Sequence, residues 1–149
     1  GGLQAFIPLA FQPDNNQMRK LPAPTAADTL RVHAISRLML DNIPHVKAFW
    51  IATGVEVAQL ALWFGVDDLD GTVQEEKIYH MAGARTPESM STSAIRRLVR
   101  AAGREPVERD TLYNVVTGPD GPDDPHVTID RDTDSRQSGV GNRESQSVV

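Results

Sequence analysis

Apolar residues along the chain form short continuous runs, which are separated by stretches with helical spacing. The runs Leu3–Phe11 and Val46–Ile51 are short and contain branched and aromatic residues, which predicts strands buried on both faces, as in a parallel sheet. Between them, Thr25 or Asp28 can cap a helix that reaches about Asn42. The apolar stripe of this helix comprises Leu30, Ala34, Ile35, Leu38 and Met39.

Capping residues and glycines indicate three further helices, and one more strand follows. Val57–Phe64 has apolar residues at i, i+3, i+4 and i+7 and is followed by a glycine. A T-x-x-E motif at Thr72 predicts the N-cap of a helix that ends at Gly83. Ser91–Gly103 combines an N-cap serine, helical apolar spacing and a terminal glycine. Thr111–Thr117 is typical of a short strand.

This alternation of strand and helix is typical of βα units around a parallel sheet. Two or three such units make about half of a (β/α) barrel. We therefore predict an α/β fold over residues 1–117 that corresponds to the C-terminal half of a barrel. The chain begins directly on an apolar run, without an initiator methionine. We expect it to have been cut from a larger fold, whose N-terminal half is then its missing partner.

Charge is distributed unevenly along the chain. Residues 118–149 contain seven acidic and three basic residues and too few aliphatic side chains to offset the entropy of ordering, so we expect a disordered acidic tail. The net charge of the whole chain is −5, and the near-neutral remainder gives no electrostatic case for nucleic acid. Arg96, Arg97 and Arg100 are interpreted as the solvated face of the last helix.

No apolar run approaches the roughly 18 residues that span a membrane, and no signal peptide is recognisable in the sequence. We expect a cytoplasmic protein whose partner is a small molecule. Trp50 and Trp63 lie in apolar runs and are predicted to belong to the core. His33 and His45 are predicted to be partly buried or surface groups.

An acidic stretch precedes the helix predicted at Thr72. In barrels of parallel strands the site lies at the carboxyl ends of the strands, so Asp67, Asp68 and Asp70 lie on the site-bearing face if a strand ends here. Asp68 or Asp70 could accept hydrogen bonds from ribose hydroxyls or an amine, and the helix N-terminus at Thr72 favours an anion such as a carboxylate. The alternative is structural, with Asp70 in a turn and the T-x-x-E motif acting only as a cap.

Two other pairs of polar residues allow a functional and a structural interpretation. Asn15 and Asn16 follow the first predicted strand, where they either bind a ligand or form a turn. Glu76 and His80 lie four residues apart on one face of a predicted helix, which suits a pair of metal ligands or a surface contact. Because no third ligand is apparent, we predict no metal site.

The acidic stretch also carries a resemblance to a known family. GVDDLDGTVQEEKIYHMAGARTP resembles the signature of the radical S-adenosylmethionine enzymes of the futalosine pathway of menaquinone biosynthesis, and fits the aminodeoxyfutalosine synthases best. The resemblance extends over LQAFIPLAFQPDNNQM, LPAPTAADTLRVHAISRLMLDNIPHVKAFW and AAGREPVERDTLYNVV, and so over nearly all of 1–117. The cyclase of the same pathway and the deazaflavin-precursor synthases share a looser version of it.

The resemblance implies a (β/α) barrel in which a CxxxCxxC motif holds a [4Fe–4S] cluster that cleaves S-adenosylmethionine to a 5′-deoxyadenosyl radical. It implies that this radical adds to 3-[(1-carboxyvinyl)oxy]benzoate to give aminodeoxyfutalosine. Phe6 and Phe11 would wall the cavity and shield a radical from water. The candidate substrate-binding residues are Asp68, Asp70, Thr72, Asn15 and Phe6.

The chain departs from this family in one decisive respect, because it contains no cysteine and cannot hold the cluster. S-adenosylmethionine and the cluster would belong to the full-length enzyme, and we expect this chain alone to be inactive. Two alternatives have different functions: a non-catalytic α/β binding module made from such a half-barrel, and an unrelated α/β domain without a site here.

Overall fold

A computed structural model of the chain describes residues 2–15, 17–73, 77–84, 86–87, 89–121 and 147–148. The strands in this part of the chain are β1 (Ala5–Phe6), β2 (His45–Ala48), β3 (Asp68–Leu69), β4 (Glu108–Arg109), β5 (Val115–Thr117) and β6 (Ser147–Val148). The helices are α1 (Ala26–Met39), α2 (Trp50–Thr53), α3 (Val55–Ala61), α4 (Lys77–Met81) and α5 (Thr92–Ala101). None of these helices is both long and apolar enough to cross a membrane.

The first three strands form the predicted parallel sheet. β1 pairs with β2, β2 pairs with β3, and each strand is followed by helix, which confirms the βα units. The loops that leave the carboxyl ends of these strands therefore gather at one edge of the sheet. The full order is β1-β2-β3-β6-β4-β5, and the pairings among the last four of these strands are antiparallel.

One face of the parallel sheet carries the apolar core. Val46, Ala48 and Leu69 are fully buried there. They pack with buried residues of α2, α3 and α5, which include Trp50, Ile51, Ala58, Ala61, Ile95, Leu98 and Val99. Because successive side chains of a strand point to opposite faces, Lys47 and Asp68 lie on the face away from this core.

The two longer helices begin where the sequence predicts them. Thr25 caps α1 in a reciprocal capping box, in which its hydroxyl accepts from the Asp28 backbone N–H and the Asp28 carboxylate accepts from the Thr25 N–H, each at 3.1 Å. The Ser91 hydroxyl caps α5 by accepting from the N–H of Ala94 at 3.2 Å. Such caps satisfy backbone donors that a helix leaves unpaired at its start.

Only part of the apolar stripe predicted for α1 packs against the core, where Leu30 is partly buried. His33 and Ser36 are the buried residues of α1, whereas Ile35, Leu38 and Met39 are exposed, Leu38 to 80%. His33 and Ser36 each bond a carbonyl oxygen of α1 itself. Local bonding of this kind lets polar side chains occupy a buried face.

The two tryptophans differ in environment. Trp50 is buried in the core as predicted, but the prediction for Trp63 is wrong because its side chain is 65% exposed. Trp63 lies in the turn after α3, where the Arg104 guanidinium carbon is 5.0 Å from the ring centroid. A cation over the ring stabilises an indole without burying it.

The arginines of α5 do not form a solvated face. Arg96 is 1% exposed, and its Nη2 donates to the carbonyl oxygens of Gly118 and Pro119. Arg100 is half-buried and also donates to the Pro119 carbonyl, and Arg97 is half-buried. The chain that leaves β5 folds back over Arg96 and Arg100, a contact that helical spacing cannot reveal.

The strand predicted at Leu3–Phe11 is also shorter and less buried than expected. It contains only β1, and Leu3 and Leu9 are exposed. β1 is an edge strand of the described sheet, and Pro8 cannot donate to a ladder. The second predicted strand ends at Ala48, and α2 begins two residues later.

The helix expected at Thr72 does not begin there, because Thr72 and Val73 are not helical. The Val73 N–H donates to the Gly71 carbonyl at 2.8 Å, which is a tighter turn than a helix allows. The described part of the helix is α4. Asn16, Glu75, Glu76 and most of the predicted tail, 122–146, lie outside the described residues.

Candidate functional site

Charged side chains gather around Asp68 on the sheet face away from the core. We call this group the carboxylate cluster, and it comprises Lys47, Asp68, Asp70, Arg109 and Tyr113. Asp68 is fully buried, and its carboxylate accepts from Nε of Arg109 at 3.3 Å, from Nη2 of Arg109, and from the Tyr113 hydroxyl at 2.6 Å. A buried carboxylate is tolerated only when its oxygens are paired in this way. Asp68 therefore organises the cluster.

Asp70 directly follows β3 and so lies at the carboxyl edge of the sheet. Its side chain is 18% exposed, whereas that of Asp68 is fully enclosed. Lys47 Nζ lies 3.2 Å from Asp70 Oδ1 and 3.6 Å from Asp68 Oδ2. Burial raises the pKa of the Asp70 carboxyl above its ordinary value of 3.8, and the Lys47 ammonium opposes that rise. Asp70 thus combines access to solvent with acceptor capacity that the described contacts do not fill.

A third carboxylate, Asp67, lies at the opposite end of β3. Its Oδ1 accepts from the backbone N–H of Val46 at 2.8 Å and from the Arg37 guanidinium. Its Oδ2 accepts from Nδ1–H of His45 at 2.9 Å. Since these contacts join β2, β3 and α1 at the amino ends of the strands, Asp67 has a structural role.

The hairpin between β4 and β5 delivers Tyr113 to the cluster. Its turn is closed by hydrogen bonds from Tyr113 N–H to the Asp110 carbonyl at 3.1 Å and from Asp110 N–H to the Asn114 carbonyl at 3.0 Å. Tyr113 has a φ of 65°, a left-handed conformation that costs a residue with a Cβ roughly 1–2 kcal/mol. Glycine or asparagine is the usual choice at such a position.

The contacts of the Tyr113 side chain offset this backbone strain. The Arg109 guanidinium carbon lies 3.6 Å from the ring centroid, and the His45 ring stacks on it at 4.1 Å with an interplanar angle of 15°. Burial, reinforced by the hydrogen bond to Asp68, raises the pKa of the Tyr113 hydroxyl. The hydroxyl therefore stays protonated and donates to Asp68.

Three members of the cluster were not singled out from the sequence: Lys47, Arg109 and Tyr113. Lys47 had a usable signal, because it is a lone charge that alternates with apolar residues in a predicted strand and so points away from the core. Arg109 and Tyr113 lie in the segment AAGREPVERDTLYNVV. The pattern of apolar and polar residues in this segment does not show which strand of the sheet it packs against.

The structure brings together some of the predicted site residues and separates others. Asp68 and Asp70 meet in the cluster, and the half-buried Thr72 follows two residues later in irregular backbone. Asn15 lies in a turn, where its Nδ2 donates to the Met81 carbonyl at 2.9 Å. Phe6 pairs in register with Val46 and therefore lies on the core face, away from Asp68.

Phe11 is likewise not part of the cluster and lines a cleft between the β1–α1 loop and residues of α1, α2 and α3. The residues around this cleft are Ala10, Phe11, Gln12, Ala23, Pro24, Ala26, Thr29, Ala52, Thr53 and Val57.

The residues present do not fit an iron–sulphur cluster. The 149-residue sequence contains no cysteine, and the described ranges hold no group of three or more His, Cys, Asp or Glu residues suited to a metal ion. Nε2 of His80 lies 2.9 Å from the Thr86 carbonyl, to which it must donate, so this nitrogen has no lone pair for a metal. We assign no step of chemistry to a metal on this chain.

The fold and the cluster together define an α/β protein with parallel strands and a polar site near their carboxyl ends. Residues 1–121 match the family described as the CofH/MqnC C-terminal region, and the chain belongs to this family.

The curated relatives carry related names. The chain is 49% identical to the aminodeoxyfutalosine synthase of Thermus thermophilus over 120 residues, which cover 78% of this chain and 32% of the relative. It is 43% identical to the aminodeoxyfutalosine synthase of Streptomyces coelicolor, covering 83% and 35% of the two chains. It is 40% identical to the cyclic dehypoxanthine futalosine synthase of S. coelicolor, covering 82% and 30%. The chain thus spans about a third of the length of these relatives.

Proposed function

We propose that this chain forms the C-terminal wall of the substrate pocket in a radical S-adenosylmethionine enzyme, and that the enzyme is an aminodeoxyfutalosine synthase. In such enzymes the [4Fe–4S] cluster and S-adenosylmethionine supply a 5′-deoxyadenosyl radical. This chain has no thiolate for the cluster, so its partner is the N-terminal part of the enzyme, and the two parts together would close a (β/α) barrel.

The observation that carries this proposal is the position of Asp70. It directly follows β3, on the sheet edge where enzymes with parallel barrels build their sites. Its carboxylate accepts hydrogen bonds from hydroxyl or amino groups of a nucleoside, and Lys47, 3.2 Å away, offers a positive charge to a substrate carboxylate. The hydrogen bond from Trp50 Nε1 to the Asp70 carbonyl at 3.1 Å fixes the backbone at this point.

Asp68 supports the pocket without touching its ligand. The side chain is fully buried and accepts from Arg109 and Tyr113. It therefore holds β3 against the β4–β5 hairpin and keeps Lys47 within reach of Asp70. A rigid supporting layer of this kind is what orients the groups that contact a substrate.

Sequence identity favours the synthase over the cyclase, because the chain is 49% identical to the T. thermophilus synthase and 40% identical to the S. coelicolor cyclase. The cyclase is nevertheless the second candidate, since the match covers a similar share of this chain in both cases. In either function, the cluster and the initial radical come from outside this chain.

The test is a chimera in which residues 1–121 replace the matching C-terminal region of the T. thermophilus synthase. After anaerobic reconstitution we expect S-adenosylmethionine to be consumed and aminodeoxyfutalosine to form from 3-[(1-carboxyvinyl)oxy]benzoate. Turnover of dehypoxanthine futalosine alone would favour the cyclase. A folded chimera with an intact cluster that turns over neither substrate would contradict the proposal.

The same chimera tests Asp70 directly. Asp70→Asn should lower turnover without unfolding the protein, because the amide keeps the shape of the side chain but replaces an acceptor oxygen with a donor. Asp41→Asn, at an exposed position after α1, is the matched control and should leave turnover unchanged. Equal kinetics for the two variants would remove Asp70 from the site.

A further experiment addresses the chain by itself. The purified 149-residue protein, treated with iron, sulphide and reductant, should not cleave S-adenosylmethionine because it lacks cysteine. Cleavage by this preparation would refute the assignment of the cluster to another part of the enzyme. Co-expression with the N-terminal two-thirds of the T. thermophilus synthase should restore cleavage if the two parts assemble.

A further inference from the structure

Tyr113 is a bulky residue in a backbone conformation that favours glycine. The turn that contains it does not use its side chain. Asp110 fixes that turn, since its Oδ1 accepts from the N–H groups of Leu112 at 2.8 Å and Asn114 at 2.9 Å. The physical reason for a tyrosine here therefore lies in what its side chain contacts.

The Tyr113 hydroxyl bears on the position of Lys47, which has two carboxylates within reach. Lys47 Nζ is 3.2 Å from Asp70 Oδ1 and 3.6 Å from Asp68 Oδ2. Asp68 Oδ2 already accepts from the Tyr113 hydroxyl at 2.6 Å and from Nη2 of Arg109. An oxygen whose lone pairs are taken by two donors offers little to a third, so the ammonium lies closer to Asp70.

We propose that Tyr113 is a positioning residue of the carboxylate cluster: its hydroxyl occupies Asp68 Oδ2 and thereby holds the Lys47 ammonium on Asp70. The ring contacts with Arg109 and His45 hold the hydroxyl in place against the strained backbone. The inference rests on the proposed function only in taking Asp70 as the carboxylate that binds a ligand. The geometry and the experiment that tests it need no ligand.

The experiment is Tyr113→Phe in the full 149-residue chain, with the Asp70 carboxyl titrated by carbon NMR. Burial raises the pKa of Asp70, and of the charged groups around it, Lys47, Asp68 and Arg109, the Lys47 ammonium opposes that rise. Without the hydroxyl, Lys47 should move towards Asp68, and the pKa of Asp70 should shift upwards. The matched control is Tyr79→Phe, which alters the other tyrosine, packed edge-on against Phe49, and should leave the Asp70 titration unchanged.

An unchanged Asp70 titration in a folded Tyr113→Phe chain would overturn the proposal. A second measurement leaves position 113 intact. In Tyr79→Phe, Tyr113 is the remaining tyrosine of the two in the sequence, so ultraviolet absorbance reports its ionisation. Its pKa should lie above the ordinary value of 10.0, and ionisation at that ordinary value would show that the bond to Asp68 is absent.

These outcomes are distinguishable from failure of the proposed function. A chimera that turns over neither substrate, combined with the expected shift of Asp70 in Tyr113→Phe, would reject the enzyme assignment and retain the positioning role. The expected turnover combined with an unchanged Asp70 titration would retain the enzyme assignment and reject the positioning role.

Discussion

Asp68→Asn is the substitution that tests the cluster most severely. The amide has nearly the same shape as the carboxylate, so packing is preserved while the negative charge is lost. Arg109 Nη2 and the Tyr113 hydroxyl both donate to Oδ2 of Asp68. In the variant, one end of the side chain becomes a donor and the Arg109 guanidinium, whose side chain is 6% exposed, loses its buried counter-charge.

The expected loss of stability in Asp68→Asn follows from the burial of both Asp68 and Arg109. Removing one partner of a buried ion pair costs roughly 3–5 kcal/mol, because the remaining charge stays desolvated. The total free energy of unfolding of a small domain is about 5–15 kcal/mol. With a urea slope of about 2 kcal/mol per molar, the unfolding midpoint should fall by about 1.5–2.5 M.

The assay is urea unfolding of the 149-residue chain followed by circular dichroism. Asp41→Asn, the same change at an exposed position, should alter the free energy by less than about 0.5 kcal/mol. The double variant Asp68→Asn/Arg109→Gln should cost less than the sum of the two single variants, because it leaves neither charge buried alone. If Asp68→Asn lowered the midpoint no more than Asp41→Asn, the cluster would not be the buried pair inferred from its contacts.

Three smaller predictions concern the cap, the titration of Asp70 and the tryptophans. Ser91→Ala removes the cap on the Ala94 N–H and should lower the free energy of unfolding by about 1 kcal/mol in the same urea assay. The raised folded-state pKa of Asp70 means that the folded state holds more protons between the ordinary value of 3.8 and the raised value. The contribution of Asp70 to stability therefore falls as pH rises through this window, and Asp70→Asn should gain stability relative to wild type over the same range. Iodide should quench the exposed Trp63 but not the buried Trp50, so Trp63→Phe should leave fluorescence that iodide hardly affects.

The elements that the sequence predicts well are those whose determinants are local. Thr25 and Ser91 cap helices because their hydroxyls bond N–H groups three residues away, and such motifs are visible in a short window. β3 and β4 contain two residues each, which is too few to show a period of two. Their existence depends on pairing with distant strands, so the sequence left them unassigned.

Burial was harder to predict than helix position. Trp50 and Trp63 both lie in apolar runs, yet one is in the core and the other lies in an exposed turn. The apolar stripe predicted for α1 was partly wrong for the same reason, since Leu38 is exposed while His33 is buried. Periodicity identifies which residues share a face of a helix, but the neighbours that cover that face are set by the tertiary fold.

Asp68 and Asp70 are close in sequence but differ in burial. Both carboxylates belong to one acidic stretch, two residues apart, and this spacing does not rank them. The two side chains differ in burial because Asp68 is enclosed by Arg109 and Tyr113, which lie 41 and 45 residues further along the chain. A ligand needs an accessible acceptor, and an oxygen enclosed by protein donors is not one. The two Asp→Asn variants should therefore separate, with Asp68→Asn lowering stability and Asp70→Asn lowering turnover.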